Sequence, residues 1–116
     1  MAGGISIHVV DITRGLPAAG MHVELYRLEG GRAPIGAGAL DERGLLEFPA
    51  AGPEPGPGIY EAVFHVGAFY RQAGHRLPDP PFLDEVPFRF SVADPGQHYH
   101  LPLKLSPWGF SLFRGA

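Results

Sequence analysis

"HYHLPLKLSPWGFSLFRGA" (residues 98–116) is the stretch on which the reading of this chain turns. Residues 98–105 alternate as a strand does: His98 and His100 share one face and Tyr99 takes the other, because side chains on extended backbone switch sides at every residue. "WGFSLF" (108–113) follows as a last strand. The chain then stops on Arg114-Gly115-Ala116 with no polar tail. Termini usually fray; this one reads as built into the domain.

The pattern continues toward the N-terminus. "PFRFSVAD" (87–94) is a strand, joined to residue 98 through the turn "PGQ" (95–97). "HRLPDPPFLDEVP" (75–87) is a loop broken by proline. "GAFYRQAG" (67–74) is the one plausible helix, and "IYEAVFHV" (59–66) is a strong strand. "PAAGPEPGPG" (49–58) cannot hold regular structure, since its prolines remove backbone donors. "LLEF" (45–48) is extended after the turn "DERG" (41–44). A short strand is expected near 35–40, after "EGGRAP" (29–34) turns the chain. "MHVELYRL" (21–28) sets His22, Glu24, Tyr26 and Leu28 on one face. "TRGLPAAG" (13–20) is a connection. "ISIHVVD" (5–11) sets Ser6, His8 and Val10 together. About eight short strands with turn signals between them indicate an all-β antiparallel sandwich.

Composition bounds the function. The chain has 116 residues, which favours one domain over 1–116. Apolar residues make up 45%, enough for a core, so the 17 glycines and 13 prolines signal turns rather than disorder. Net charge is −3 and the nine basic residues are scattered singly, which predicts neither nucleic acid nor membrane as partner. Cysteine is absent, which removes a disulfide frame and a thiolate nucleophile and fits a reducing, cytoplasmic setting. No apolar run is long enough to span a bilayer, and residues 1–10 lack a signal peptide's charged start and apolar core.

The chemistry candidates are histidines and cations, because the chain holds no phosphate loop, dinucleotide fingerprint, GxSxG or HExxH. His98 and His100 admit three readings: partly exposed sheet residues, two ligands of a metal that needs a third, or acid–base groups. His8 gains weight only if it converges with one of them. His22, His65 and His75 read as structural or solvent-facing. Lys104 shares the face of His98, His100 and Pro102. It is either a charge that blocks edge pairing or a cation lining a polar site.

Several motifs in order resemble the transthyretin-like family, and within it the 5-hydroxyisourate hydrolases. "ISIHVVDITRGLPAAG" is similar to the family's first strand and Arg-Gly-x-Pro-Ala turn. "GIYEAVFHVGAFY" is similar to its strand–helix junction, and "PPFLDEVPFRF" and "HYHLPLKLSP" to its later strands. "FRGA" resembles its Tyr-Arg-Gly-Ser ending. The resemblance runs through nearly the whole chain. It implies two four-stranded sheets with one short helix, and a homotetramer whose sites lie in a channel between dimers. It also implies hydrolysis of a planar oxidised purine in urate breakdown, with no metal or organic cofactor. His8 and His100 match the family's acid–base histidines. Arg114 and Gly115 match the terminal motif, with His98, Lys104, Phe113 and Ala116 beside the substrate.

The chain departs from the family pattern in three places. The family arginine follows Asp-Gly. Here "ALDERGLL" puts either Arg43 or Leu45 at that position, both expected on one strand face, and Arg43 is preferred. Phe113 and Ala116 replace a tyrosine and a serine, removing two hydroxyls whose contacts would each contribute about 1 kcal/mol or more. Lys104 brings positive charge to a place that is apolar in relatives, where it lowers imidazole basicity and attracts anions. These departures admit a methylated or biosynthetic cyclic amide as an alternative substrate, or a non-catalytic small-molecule binding protein.

Overall fold

A computed structural model describes residues 3–48 and 56–115. Its elements are β1 (Ile5–Asp11), β2 (Leu16–Pro17), β3 (His22–Leu28), β4 (Arg32–Ala39), β5 (Leu45–Phe48), β6 (Gly58–His65), α1 (Val66–Gln72), β7 (Glu85–Val92), β8 (Tyr99–Ser106) and β9 (Gly109–Leu112). One sheet runs β4-β3-β6-β7. The other runs β2-β1-β8-β9, with β5 also paired to β1.

Alternation decides what each strand buries. Ile5, Ile7 and Val9 of β1 and Leu101, Leu103 and Leu105 of β8 turn inward from one sheet. Val23 and Leu25 of β3 and Tyr60, Ala62 and Phe64 of β6 meet them from the other, in one continuous core. The residues between them face outward, which puts Ser6, His8 and Val10 on the outer face of β1.

Three details depart from the expected layout. β1 and β8 run parallel, side by side from Ile5↔Tyr99 to Asp11↔Leu105, while the other strand pairs are antiparallel. The sheet of β1 has five strands, because β2 and β5 take successive lengths of one β1 edge, at Val10–Asp11 and Ile5–His8. β4 begins at Arg32 and carries Pro34, inside the stretch read as a turn. A proline is tolerated there because β4 lies at the edge of its sheet. Residues 49–55 of the proline-rich stretch fall outside the described residues, and Gly58 opens β6.

A buried carboxylate fixes the end of β1. Asp11 is fully buried. Its oxygens accept hydrogen bonds from the Tyr70 hydroxyl of α1 at 2.7 Å, the Thr13 amide at 3.0 Å and Arg14 Nε at 2.7 Å. Burial alone would raise its pKa, but these donors, Tyr70 first, outweigh that and hold the carboxyl below the ordinary carboxylate range. The helix is thereby tied to the strand that carries His8.

Candidate active site

The parallel β1–β8 pair builds the site. Its register sets Ser6 beside His100, His8 beside Pro102 and Val10 beside Lys104, all on the outer face. On the far side of β1, β5 sets Glu47 opposite Ser6 and Leu45 opposite His8.

Ser6 is the centre of the polar cluster. It is only 6% exposed, and its hydroxyl lies 2.7 Å from His98 Nε2 and 2.7 Å from His100 Nδ1. The other nitrogen of His98, Nδ1, faces the Gly3 carbonyl at 2.8 Å. Both nitrogens of His98 are therefore engaged, which leaves it no ring nitrogen for a metal in this arrangement. His100 is held below the ordinary histidine pKa, first by burial and then by His8 and His98 nearby.

The C-terminal segment folds back onto this face. Gly115 bridges to His100 and donates its amide hydrogen to the His100 carbonyl at 2.7 Å. A Cβ at position 115 would lie 2.9 Å from His100 Cδ2 and 3.2 Å from Pro102 Cδ, so any side chain there would have to push the His100 ring aside. Arg114 turns to the Tyr99 side of β8. Its guanidinium carbon lies 4.0 Å from the Tyr99 ring centroid, and its Nη2 donates to Gln97 Oε1 at 2.9 Å. Arg114 therefore pins the tail rather than facing the histidines. Phe113 is half exposed, and Ala116 lies outside the described residues.

The turn before β5 corrects the expected placement of Arg43. Arg43 is in the turn, not on the strand face it was to share with Leu45. Gly44 adopts φ +77°, and a Cβ there would sit 2.6 Å from the Val9 carbonyl oxygen. Asp41 Oδ1 caps the turn by accepting from the amides of Arg43 and Leu45 at 2.8 and 3.0 Å. The obligatory glycine of the turn is thus Gly44, and the residue after it is Leu45. Arg43 still reaches the site through its backbone, where its carbonyl accepts from His8 Nε2 at 3.1 Å. Its exposed guanidinium borders a cleft of about 390 Å³ lined by Ala39, Asp41, Leu45, Leu46 and Glu47. Lys104 is exposed on the histidine face, two positions beyond Pro102.

Strand parity sets Ser6 on the face of His8 but gives it no contact. The signal that could have found it was parity on both strands, but using it required the β1–β8 pairing. Gly44 was readable as a turn residue but not as the fixed point of the alignment.

The sequence profile of the HIUase/Transthyretin family matches residues 5–115. The chain belongs to the HIUase/Transthyretin family. It is 45% identical to 5-hydroxyisourate hydrolase 2 of Rhizobium meliloti (strain 1021), over 99% of this chain and 98% of that protein. The solved structure of Klebsiella pneumoniae 5-hydroxyisourate hydrolase superposes with a TM-score of 0.82 at 29% identity, covering 98% of this chain and 99% of that one. Sea bream transthyretin in complex with thyroxine shares the fold, with a TM-score of 0.86 at 23% identity over 97% of this chain and 94% of that one.

Proposed function

We propose that this protein hydrolyses 5-hydroxyisourate to 2-oxo-4-hydroxy-4-carboxy-5-ureidoimidazoline in urate breakdown. The observation that carries the reading is the convergence of His8, His100 and the Gly115 backbone on one sheet face, in a chain similar end to end to 5-hydroxyisourate hydrolases. In this reading a water oxygen attacks the cyclic amide carbonyl, and His100 takes its proton. The lowered basicity of His100 keeps the ring neutral and ready to accept at neutral pH. His8 is the second proton-transfer group, oriented by the Arg43 carbonyl. The ring C–N bond then breaks and the departing nitrogen is protonated.

The negative charge that grows on the carbonyl oxygen needs a cation. Arg43 supplies a guanidinium from the turn, and Lys104 adds an ammonium on the same face. Gly115, Phe113 and Arg114 form the tail beside the site, with His98 behind His100. No cofactor takes part in this scheme. The site is completed in a homotetramer, a dimer of dimers. Exposed Trp108, Phe110 and Phe113 on and beside β9 support that assembly, since β9 is an edge strand of its sheet. No helix among the described residues is long and apolar enough to cross a membrane, and the cysteine-free chain suits the cytoplasm.

The test is to generate 5-hydroxyisourate in place with urate oxidase and follow its absorbance. Added protein should accelerate the decay in proportion to its concentration. Decay at the spontaneous rate would refute the proposal.

A further inference from the structure

We propose that Ser6 and His98 are positioning residues that set the tautomer of His100, so that its Nε2 carries the lone pair. The hydrogens of this cluster can be placed from one fixed point. The Gly3 carbonyl can only accept, so His98 Nδ1 must carry the hydrogen of their 2.8 Å contact. Neutral His98 then presents a bare Nε2. The single hydroxyl hydrogen of Ser6 goes to that nitrogen, across 2.7 Å. Ser6 Oγ has no second hydrogen to give, so its 2.7 Å contact with His100 must be donated by His100 Nδ1. Neutral His100 has one N–H, and it is now spent. Its Nε2 is left as the proton acceptor that amide hydrolysis requires.

His8, Glu47 across β5, Arg43 and Lys104 are the other titratable or charged groups placed around this cluster. This inference rests on the proposed hydrolysis for its catalytic meaning, but the tautomer can be read without turnover.

The experiment is nitrogen-15 NMR of the imidazoles in the full-length protein, alongside hydroxyisourate kinetics. The expected spectrum at neutral pH shows His100 as the Nδ1–H tautomer. In Ser6→Ala that resonance should move toward a tautomer mixture, with kcat lower by about ten- to a hundredfold and KM nearly unchanged. Ser6→Thr, which keeps the hydroxyl and suits a strand, should restore both. A wild-type protein with this tautomer but without hydroxyisourate turnover would sink the proposed substrate and leave the relay standing. An active wild-type protein with His100 in the Nε2–H form would overturn the relay. So would a folded Ser6→Ala protein whose tautomer and kcat match wild type.

A second, independent observation lies on the other sheet, where the geometry points to a transition-metal site. His22 and Glu24 share the outer face of β3, and His65 ends the neighbouring β6. Their ligand atoms lie within 4.8 Å of one another, and His65 Nε2 is 3.3 Å from Glu24 Oε1. That separation is close to the edge of a tetrahedron with metal–ligand bonds of about 2.0–2.1 Å. The other nitrogen of His65, Nδ1, lies 4.0 Å from Glu85 Oε2, beyond hydrogen-bond reach. Two imidazoles and a carboxylate suit Zn²⁺, with one position open to water. Titration with Co²⁺, a coloured stand-in, should give one tetrahedral spectrum per chain that survives in His100→Ala and is lost in His22→Ala and in Glu24→Gln. Absence of the spectrum, or its loss only in His100→Ala, would refute the site.

Discussion

At the scale of single residues, the site depends on contacts too close to allow exchange. Gly115 packs so close to the His100 ring that a Cβ there would displace it. Gly115→Ala should displace the ring and lower kcat by up to about a hundredfold, with the melting temperature nearly unchanged; steady-state kinetics and a thermal scan check both. The lowered basicity of His100 sets the sign of the pH profile. A base works when deprotonated, so activity should fall on acidification with a midpoint below the ordinary histidine value of about 6.5. A kcat/KM profile measured across that range reads it. The shared face of Ser6 and His8, and that of His98 and His100, were legible because strand parity is local. The choice between Arg43 and Leu45 was not. The structure puts Gly44 at the positive-φ position of the turn, against the Val9 carbonyl, an approach between distant residues that no local pattern shows.

At the scale of elements, β1 carries the site because three partners hold it: β8 on one edge, β2 and β5 on the other. Its C-terminal end is locked to α1 through Asp11 and Tyr70. Tyr70→Phe removes the strongest donor to a buried carboxylate and should destabilise the protein by about 1–3 kcal/mol, measurable by urea unfolding. The folded pKa of Asp11 lies below its unfolded value of about 3.9. Its contribution to stability is therefore complete above that pH and is lost as pH falls through the folded value. Wild-type protein should lose stability on acidification over that interval more steeply than Tyr70→Phe. Strand positions could be read from alternation, but the ends of β4 could not: Pro34 resembles a turn residue until β4 is known to be an edge. The parallel neighbour of β1 was likewise hidden, because it joins residues more than ninety positions apart and no local pattern encodes that choice.

At the scale of the whole molecule, one face of the sandwich carries polar chemistry and one edge carries exposed aromatics. Trp108 is 62% and Phe110 43% exposed at β9. Exposed aromatics at a sheet edge are what the proposed assembly would bury. Phe110→Arg should yield a folded, smaller species by analytical ultracentrifugation, with reduced hydrolysis if the site needs a neighbouring subunit. The sandwich followed from strand count and turn spacing. The assembly and the substrate rest instead on motif resemblance, since no pattern of alternation specifies what a face will meet. The catalytic role of His100 is tested most directly by kcat/KM for 5-hydroxyisourate in wild type against His100→Ala, with circular dichroism confirming that both are folded. It predicts clear catalysis by the wild type and a loss of about a hundredfold or more in the variant. Equal rates in the two proteins would contradict it.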